Sequence, residues 1–342
     1  MKGVVVREHG GLDTLVVEEV PLREPGPMEV LVAVKACGVN HLDLWVRRGV
    51  PGHVFPLPII LGNDVAGVVE QVGPGVADLL AGDDVVVAPG VSCGTCVACL
   101  SGRDHHCPSY GILGEHRDGG CAEFVLVPRA NVMRKPRSLS YEHAAAVGIA
   151  FLTAWHMLIV RAELRPGETV LVQAAGSGVS SAAIQIAHLM RATVIATSGS
   201  DAKLERARAL GAEHVLNYSR QDIAKEAKRI TGGDGVDVVI EHVGAATWES
   251  SIRSLAWHGR LVTCGATTGP QVEINLRHLF FKSLSILGAT MGSKGAFAEI
   301  LKHVETGLLE PVVDRILPLS DVREAHRMLE HREVFGKVVL TI

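Results

Sequence analysis

Thr169-Val170-Leu171-Val172-Gln173-Ala174, then Ala175-Gly176-Ser177-Gly178-Val179-Ser180, then Ser181-Ala182-Ala183-Ile184-Gln185-Ile186-Ala187: this run decides how the chain is read. A β-branched apolar segment passes through a turn of small residues into an apolar helical pattern, the opening of a βαβ unit. Small side chains let the backbone approach a pyrophosphate, whose charge is met by the amides and dipole of the helix N-terminus. Ala175, Ser177 and Ser180 stand where three glycines would be expected, so the turn is tighter than usual. Gly176, Ser177, Gly178 and Val179 are the candidate dinucleotide contacts.

Downstream, the second strand, Thr193–Thr197, ends at Ser198, where an NAD site commonly carries a carboxylate for the ribose hydroxyls. Ser198-Gly199-Ser200 offers none, and Lys203 on the next helical turn is placed to meet a 2′-phosphate. NADP is therefore expected, with NAD left open. Apolar runs at Val236–Ile240, Arg260–Cys264 and Leu284–Leu287, with helical stretches such as Ser180–Met190 and Ala202–Leu210, extend the pattern to a parallel sheet. Val243-Gly244 and Gly265-Ala266-Thr267 follow two of these strands, at the ends where open α/β sheets collect ligands.

Upstream the rhythm differs. Short β-rich segments (Val16–Val20, Glu29–Lys35, Gly67–Val72, Asp84–Ala88, Glu123–Val127) separated by Gly and Pro suggest a small barrel or sandwich. The tail reads as helices at Phe297–Thr306 and Asp321–His331 and a strand, Lys337–Thr341, that rejoins the first part. The expected organisation is α/β: residues 1–149 plus 291–342 form a β-rich catalytic domain, and 150–290 form the cofactor domain.

Composition agrees with two soluble domains: 342 residues, 47% apolar and 20% charged. A net charge of −4 gives no footprint for nucleic acid or an anionic membrane. Asn and Gln total ten and Arg outnumbers Lys 23 to 10, which points to a thermophilic source or a GC-rich genome. Met1–Arg7 reads as a strand rather than a signal sequence, and the apolar stretch Ala144–Val160 is interrupted by Thr153 and His156. A cytoplasmic protein with a buried helix is expected.

Cys93-x2-Cys96-x2-Cys99-x7-Cys107 is the strongest metal signal. Four thiolates at this spacing can wrap one tetrahedral Zn²⁺ and leave no position for substrate, so the expected role is structural. Cys37, Cys121 and Cys264 lie outside this cluster and read as buried core residues.

Gly62-Asn63-Asp64-Val65-Ala66-Gly67, followed by Gly73 and Val76, resembles the zinc alcohol dehydrogenase signature. With Gly38-Val39-Asn40-His41-Leu42-Asp43, the four-cysteine lobe and the dinucleotide turn, the chain is identified as a member of the medium-chain dehydrogenase/reductase superfamily. The resemblance spans the whole chain and implies a GroES-like catalytic domain with a Rossmann-type cofactor domain. Where the zinc alcohol dehydrogenases place their three catalytic zinc ligands, this sequence has Asn40, Asn63 and Ile149. Gly-Val-Asn40-x-x-Asp43-x-x-x-Arg47-x-Gly49 is similar instead to the quinone oxidoreductase branch. The resemblance implies 2′-phosphate contacts from Lys203 and Tyr218, and pyrophosphate contacts from His41 and Lys337. It also implies that the backbones of Val243, Gly265 and Ala266 flank the nicotinamide. The candidate catalytic groups are the amides of Asn40 and Asn63, as donors to a developing oxyanion, with Asp43 a less favoured proton donor.

The expected activity is hydride transfer from NADPH to a small-molecule quinone, enone or carbonyl without a catalytic zinc. The alternatives are an alcohol dehydrogenase with a rearranged zinc site using His41 and Asp64, and a cofactor-binding sensor or scaffold. An uncharged sheet edge near Ser283–Leu287 suggests a homodimer or a homotetramer.

Overall fold

The computed structural model describes residues 1–342. It divides into one unit of residues 1–149, 292–307 and 311–342, and a second of residues 150–291 and 308–310. The return point is 292 rather than 291, and the short 308–310 segment belongs to the second unit because Gln185 holds Glu310 at both its amide and its carbonyl (2.7 and 2.9 Å).

The first unit is β-rich. Its larger sheet runs Val132–Arg134, Asp84–Val87, Asp64–Val72, Glu29–Val39, Lys337–Thr341, Val313–Pro318, with Phe124–Pro128 also paired to Glu29–Val39. A smaller sheet joins Val16–Glu19, Lys2–Val6 and Ile59–Ile60. Valine dominates because its branched side chain suits a pleated, half-buried surface. Val4, Val30, Val32, Val65, Val85 and Val338 share one buried core.

Two pairings in this sheet build the site. The central strand is longer than the sequence suggests, extending through Cys37, Gly38 and Val39. Gly38 pairs with Asp64 on one side, and Val39 pairs with Val338 on the other. Asn40, Asp64 and Lys337 are thereby brought to one end of three adjacent strands.

The second unit is a parallel sheet in the order His214–Asn217, Thr193–Ser198, Thr169–Val172, Val236–Glu241, Leu255–Thr263, Ser285–Gly288. Thr169–Val172 starts the winding, and strands are added first to one side and then to the other. This is the doubly wound arrangement, whose reversal point is the usual ligand crevice. The helical run Tyr141–Arg161 is long and apolar enough to cross a membrane by length and composition, the stretch in which the sequence reading placed a buried helix. Of its most apolar window 72% is buried within the protein, so its apolar surface is used in cores.

Candidate active site

Asn40 is the N-cap of the helix His41–Arg48, and Asp43 is its N3 residue; the two form a reciprocal capping box. Asn40 N–H donates to Asp43 Oδ2 (2.7 Å), and Gly62 N–H donates to Asp43 Oδ1 (3.0 Å). Asp43 has no exposed surface. Burial pushes its carboxyl up to about 6, against the Asn40 and Gly62 amides and the Lys337 charge, which hold it down. Asp43 therefore braces two backbone segments, at Asn40 and at Gly62.

The two asparagines are also more committed than the sequence suggests. Asn40 Nδ2 donates to Asn63 Oδ1 (2.8 Å) and Asp64 Oδ2 (2.9 Å), while Asn40 Oδ1 accepts from Lys337 Nζ. Asn63 is fully buried, and its Nδ2 donates to Leu113 O (3.2 Å) and more distantly to Asp43 Oδ1 (3.4 Å). Each amide has two N–H groups, and both pairs are engaged. Each asparagine is thereby held in place by its neighbours in the cluster.

Asp64 and Lys337 complete the cluster. Lys337 Nζ donates to Asp64 Oδ2 at 2.9 Å, and the other carboxylate oxygen accepts from Ile149 N–H at 2.7 Å. The pair is almost wholly buried, with side-chain exposures of 4% and 0%. Lys337, expected at a cofactor pyrophosphate, is set by the Val338–Val39 register beside Asp64 and Asn40, and its ammonium bonds both.

A zinc ion at the family's catalytic position does not fit these residues. Asn40, Asn63 and Ile149 supply no thiolate, imidazole or carboxylate. The Asp64 of the rearranged alternative is already held by an ammonium and a backbone amide. A dication there would also face the charge of Lys337.

The cysteine lobe fits zinc well. The sulfurs of Cys93, Cys96, Cys99 and Cys107 lie within 4.8 Å of one another. Cys93 and Cys99 sulfurs are 3.9 Å apart, and Cys96 and Cys99 sulfurs 3.5 Å, against the roughly 3.8 Å edge that Zn–S bonds of about 2.3 Å imply. Amides point at the sulfurs, as Cys96 N–H does to Cys93 (3.4 Å) and Ser109 N–H to Cys107 (3.4 Å). Amide donation from Thr95 and Cys96 draws the Cys93 thiol down to about 6, toward the thiolate a metal needs. Cys37 and Cys121 are not isolated core residues: their buried sulfurs face each other at 3.5 Å.

In the cofactor unit, Ser177 caps the helix Gly178–Leu189 by accepting from Ser180 N–H (3.0 Å). Ala174 takes a left-handed conformation (φ 51°), which turns the chain between strand and helix. Sequence reasoning missed His242, whose Nε2 meets the hydroxyls of Ser177 (3.0 Å) and Ser180 (2.8 Å). It also missed Glu241, fully buried yet satisfied by Val243 N–H (2.6 Å), Gly244 N–H (3.1 Å), Thr247 and Ser251 (both 2.7 Å). The available signal was a charged and a polar residue ending the apolar run Val236–Ile240. These bonds fix Val243 and Gly244 close to Gly265 and Ala266: a side chain on Gly244 would strike Gly269 O at 2.6 Å and Ala266 Cα at 3.1 Å.

At the expected ribose position Ser198 is buried, and its hydroxyl accepts from Ser200 N–H (3.2 Å). Nearby, the Asp201 carboxylate is held by Arg220 (2.8 and 2.9 Å) and Asn217 (2.8 Å). The half-exposed Tyr218 ring covers Gly199, and Lys203 lies on the helix Asp201–Ala209. His41 opens the helix His41–Arg48 with its side chain exposed.

Comparison with known proteins agrees with this architecture. A family described as zinc-binding dehydrogenase matches residues 178–306, and one described as alcohol dehydrogenase GroES-like domain matches residues 26–137. The chain is 33% identical to a NAD-dependent alcohol dehydrogenase of Sulfurisphaera tokodaii, covering 95% of this chain and 96% of that one. It is 31% identical to a 2-haloacrylate reductase of a Burkholderia species, covering 98% and 97%. A solved structure of a NAD-dependent alcohol dehydrogenase matches with a TM-score of 0.97 at 52% identity, covering 100% of both chains. With both halves matched and relatives aligned over nearly its whole length, the chain belongs to the medium-chain dehydrogenase/reductase superfamily, as an NAD(P)-dependent oxidoreductase of the alcohol dehydrogenase type.

Proposed function

We propose that this enzyme reduces a conjugated acceptor, a quinone, an enone or an activated carbonyl, with hydride from NADPH and without a catalytic zinc. The observation that carries the reading is the buried Lys337 ammonium, bonded to Asp64 and Asn40 where the family's metal ligands would stand. When bound, the nicotinamide supplies the hydride. The chain's part is to meet the charge that develops on the acceptor. An ammonium has three donors, and two are spent on Asn40 and Asp64, which leaves one for an acceptor oxygen. Asp64 and Asn40 fix that ammonium, and Asp43 and Asn63 fix Asn40. One ammonium is weaker electrophilic help than a Lewis-acidic dication, which favours acceptors that delocalise charge over simple ketones. The relative named 2-haloacrylate reductase lends support to a carbon–carbon double bond as the reducible group.

The test is a screen of quinones, enones, aldehydes and ketones followed by loss of NADPH absorbance. Turnover should be at least tenfold faster on conjugated acceptors. Fast, metal-dependent oxidation of a simple alcohol would instead select the second reading, which relatives named alcohol dehydrogenases favour.

NADPH is the proposed donor because Asp201 is tied to Arg220 and Asn217, while Lys203 and Tyr218 flank the same turn. Lys203→Ala should weaken NADPH by about 1.5–3 kcal/mol and leave NADH nearly unchanged. Equal affinities for the two cofactors in the unaltered protein would overturn the preference.

The proposed assembly is a homodimer through the edge strand Ser285–Gly288. Trp257, Leu276, Phe280 and Phe281 in the same unit are all more than 60% exposed, an unusual load of large apolar surface. A monomeric mass by light scattering at micromolar concentration would contradict it.

A further inference from the structure

A second set of metal-binding side chains lies outside both the cysteine lobe and the Asn40 cluster. His53 lies beyond the helix His41–Arg48, and Glu115 and His116 lie in the tight turn after the strand Gly111–Ile112. One ligand atom from each falls within 4.8 Å of the others. His53 Nε2 is 3.5 Å from Glu115 Oε1, and His116 Nδ1 is 3.6 Å from Glu115 Oε2. These separations are long for hydrogen bonds. They approach the tetrahedral edge of roughly 3.4 Å that metal–nitrogen and metal–oxygen bonds of about 2.0–2.1 Å define. The Glu115 side chain is only 12% exposed, and its ion-pair partners are these two imidazoles.

The three groups are held in place without an ion. The turn is closed by Gly114 N–H to Arg117 O (2.8 Å), Glu115 N–H to Ile112 O (3.2 Å) and His116 N–H to Ile112 O (2.9 Å). It is pressed onto the Gly62 backbone so closely that a side chain at Gly114 would come within 2.7 Å of Gly62 N. The His53 ring packs on Phe55 with centroids 4.4 Å apart and meets His116 edge-on at 5.9 Å. Ile112 N–H donates to His116 Nδ1 at 3.2 Å, so this nitrogen presents a lone pair rather than a proton. That lone pair is taken by Ile112 N–H, so an ion bound at Nδ1 would displace this hydrogen bond.

We propose that His53, Glu115 and His116 bind one divalent transition-metal ion of the zinc type, with a fourth position left to water. Two imidazoles and one carboxylate suit Zn²⁺, Co²⁺ or Ni²⁺, whereas Mg²⁺ and Ca²⁺ require more oxygen ligands. The site shares no ligand with the cysteine lobe, nor with the positions where the family carries its catalytic zinc.

The test is calorimetric titration of Zn²⁺ into the full-length protein with its cysteine lobe already filled. One further equivalent should bind. Its affinity should fall at least tenfold in His53→Ala and, separately, in Glu115→Gln, with Tm and lobe zinc unchanged. In a parallel Co²⁺ titration, that equivalent should add visible ligand-field absorption without a thiolate charge-transfer band. No saturable further equivalent would overturn the proposal. So would equal affinity in the two variants, because the ion would then lie elsewhere on the surface.

Discussion

The cysteine lobe and the Asn40 cluster stand where the resemblance to zinc alcohol dehydrogenases would place zinc, and here they have opposite chemistry. The lobe gathers four sulfurs at metal-like spacing within residues 93–107. The cluster gathers two amides, a carboxylate and an ammonium, and the cation at its centre is covalently part of the chain. In the lobe a lost ligand should show mainly as lost stability; in the cluster a lost cation should show in both stability and turnover.

The largest expected effect tests the first half of that contrast. Cys96→Ser should cost on the order of 5 kcal/mol, a fraction of the roughly 10–16 kcal/mol with which structural zinc holds small peptides. Metal content and Tm should fall together, with activity per folded molecule preserved. Loss of turnover in protein that remains folded would give the lobe a role beyond stability.

Next comes Lys337→Met, which leaves Asp64 charged, buried and without its cation. Breaking a buried pair this way costs about 3–5 kcal/mol. Adding Asp64→Asn removes the stranded charge and should restore most of the stability while turnover stays low. If turnover returned with stability, Lys337 would be only a structural partner of Asp64.

The smallest effect is a pH slope from Asp43. Its carboxyl is raised from 3.8 to about 6 by burial, so across that window the folded state holds the proton more firmly than the unfolded state. This group's contribution is most favourable below the window and is lost as pH rises through it. Asp43→Asn should flatten that part of the stability profile measured by denaturant unfolding, while weakening the cap by one hydrogen bond. An unchanged slope would mean that Asp43 is not the group responsible.

The same two regions show what was legible in the sequence. The lobe could be read because all four ligands lie close together and their spacing carries the geometry. The parallel sheet was legible for a similar reason: apolar runs alternate with helical ones, and Ser177 and Gly178 sit at the turn. The cluster was legible only as a set of positions. Asn40 and Asn63 were identified, but the partner that consumes the Asn40 carbonyl lies 297 residues away. Only the strand register pairing Val39 with Val338 brings it there. A lysine heading the last strand gives no local sign that it will be buried against Asp64, so Lys337 was read only as a pyrophosphate contact. Glu241 and His242 escaped notice because their satisfaction depends on hydroxyls from Ser177, Ser180, Thr247 and Ser251, which converge only after folding.

The central claim of the proposed function is that hydride transfer proceeds with the Lys337 ammonium where zinc alcohol dehydrogenases would carry a catalytic zinc. The most direct test is to count metal in the purified protein and follow turnover through a chelation brief enough to leave the lobe filled. The account predicts that zinc outside the lobe can be removed with no change in rate on a conjugated acceptor. Turnover that disappears as that zinc leaves, and returns when it is restored, would contradict the account and give this enzyme a catalytic metal.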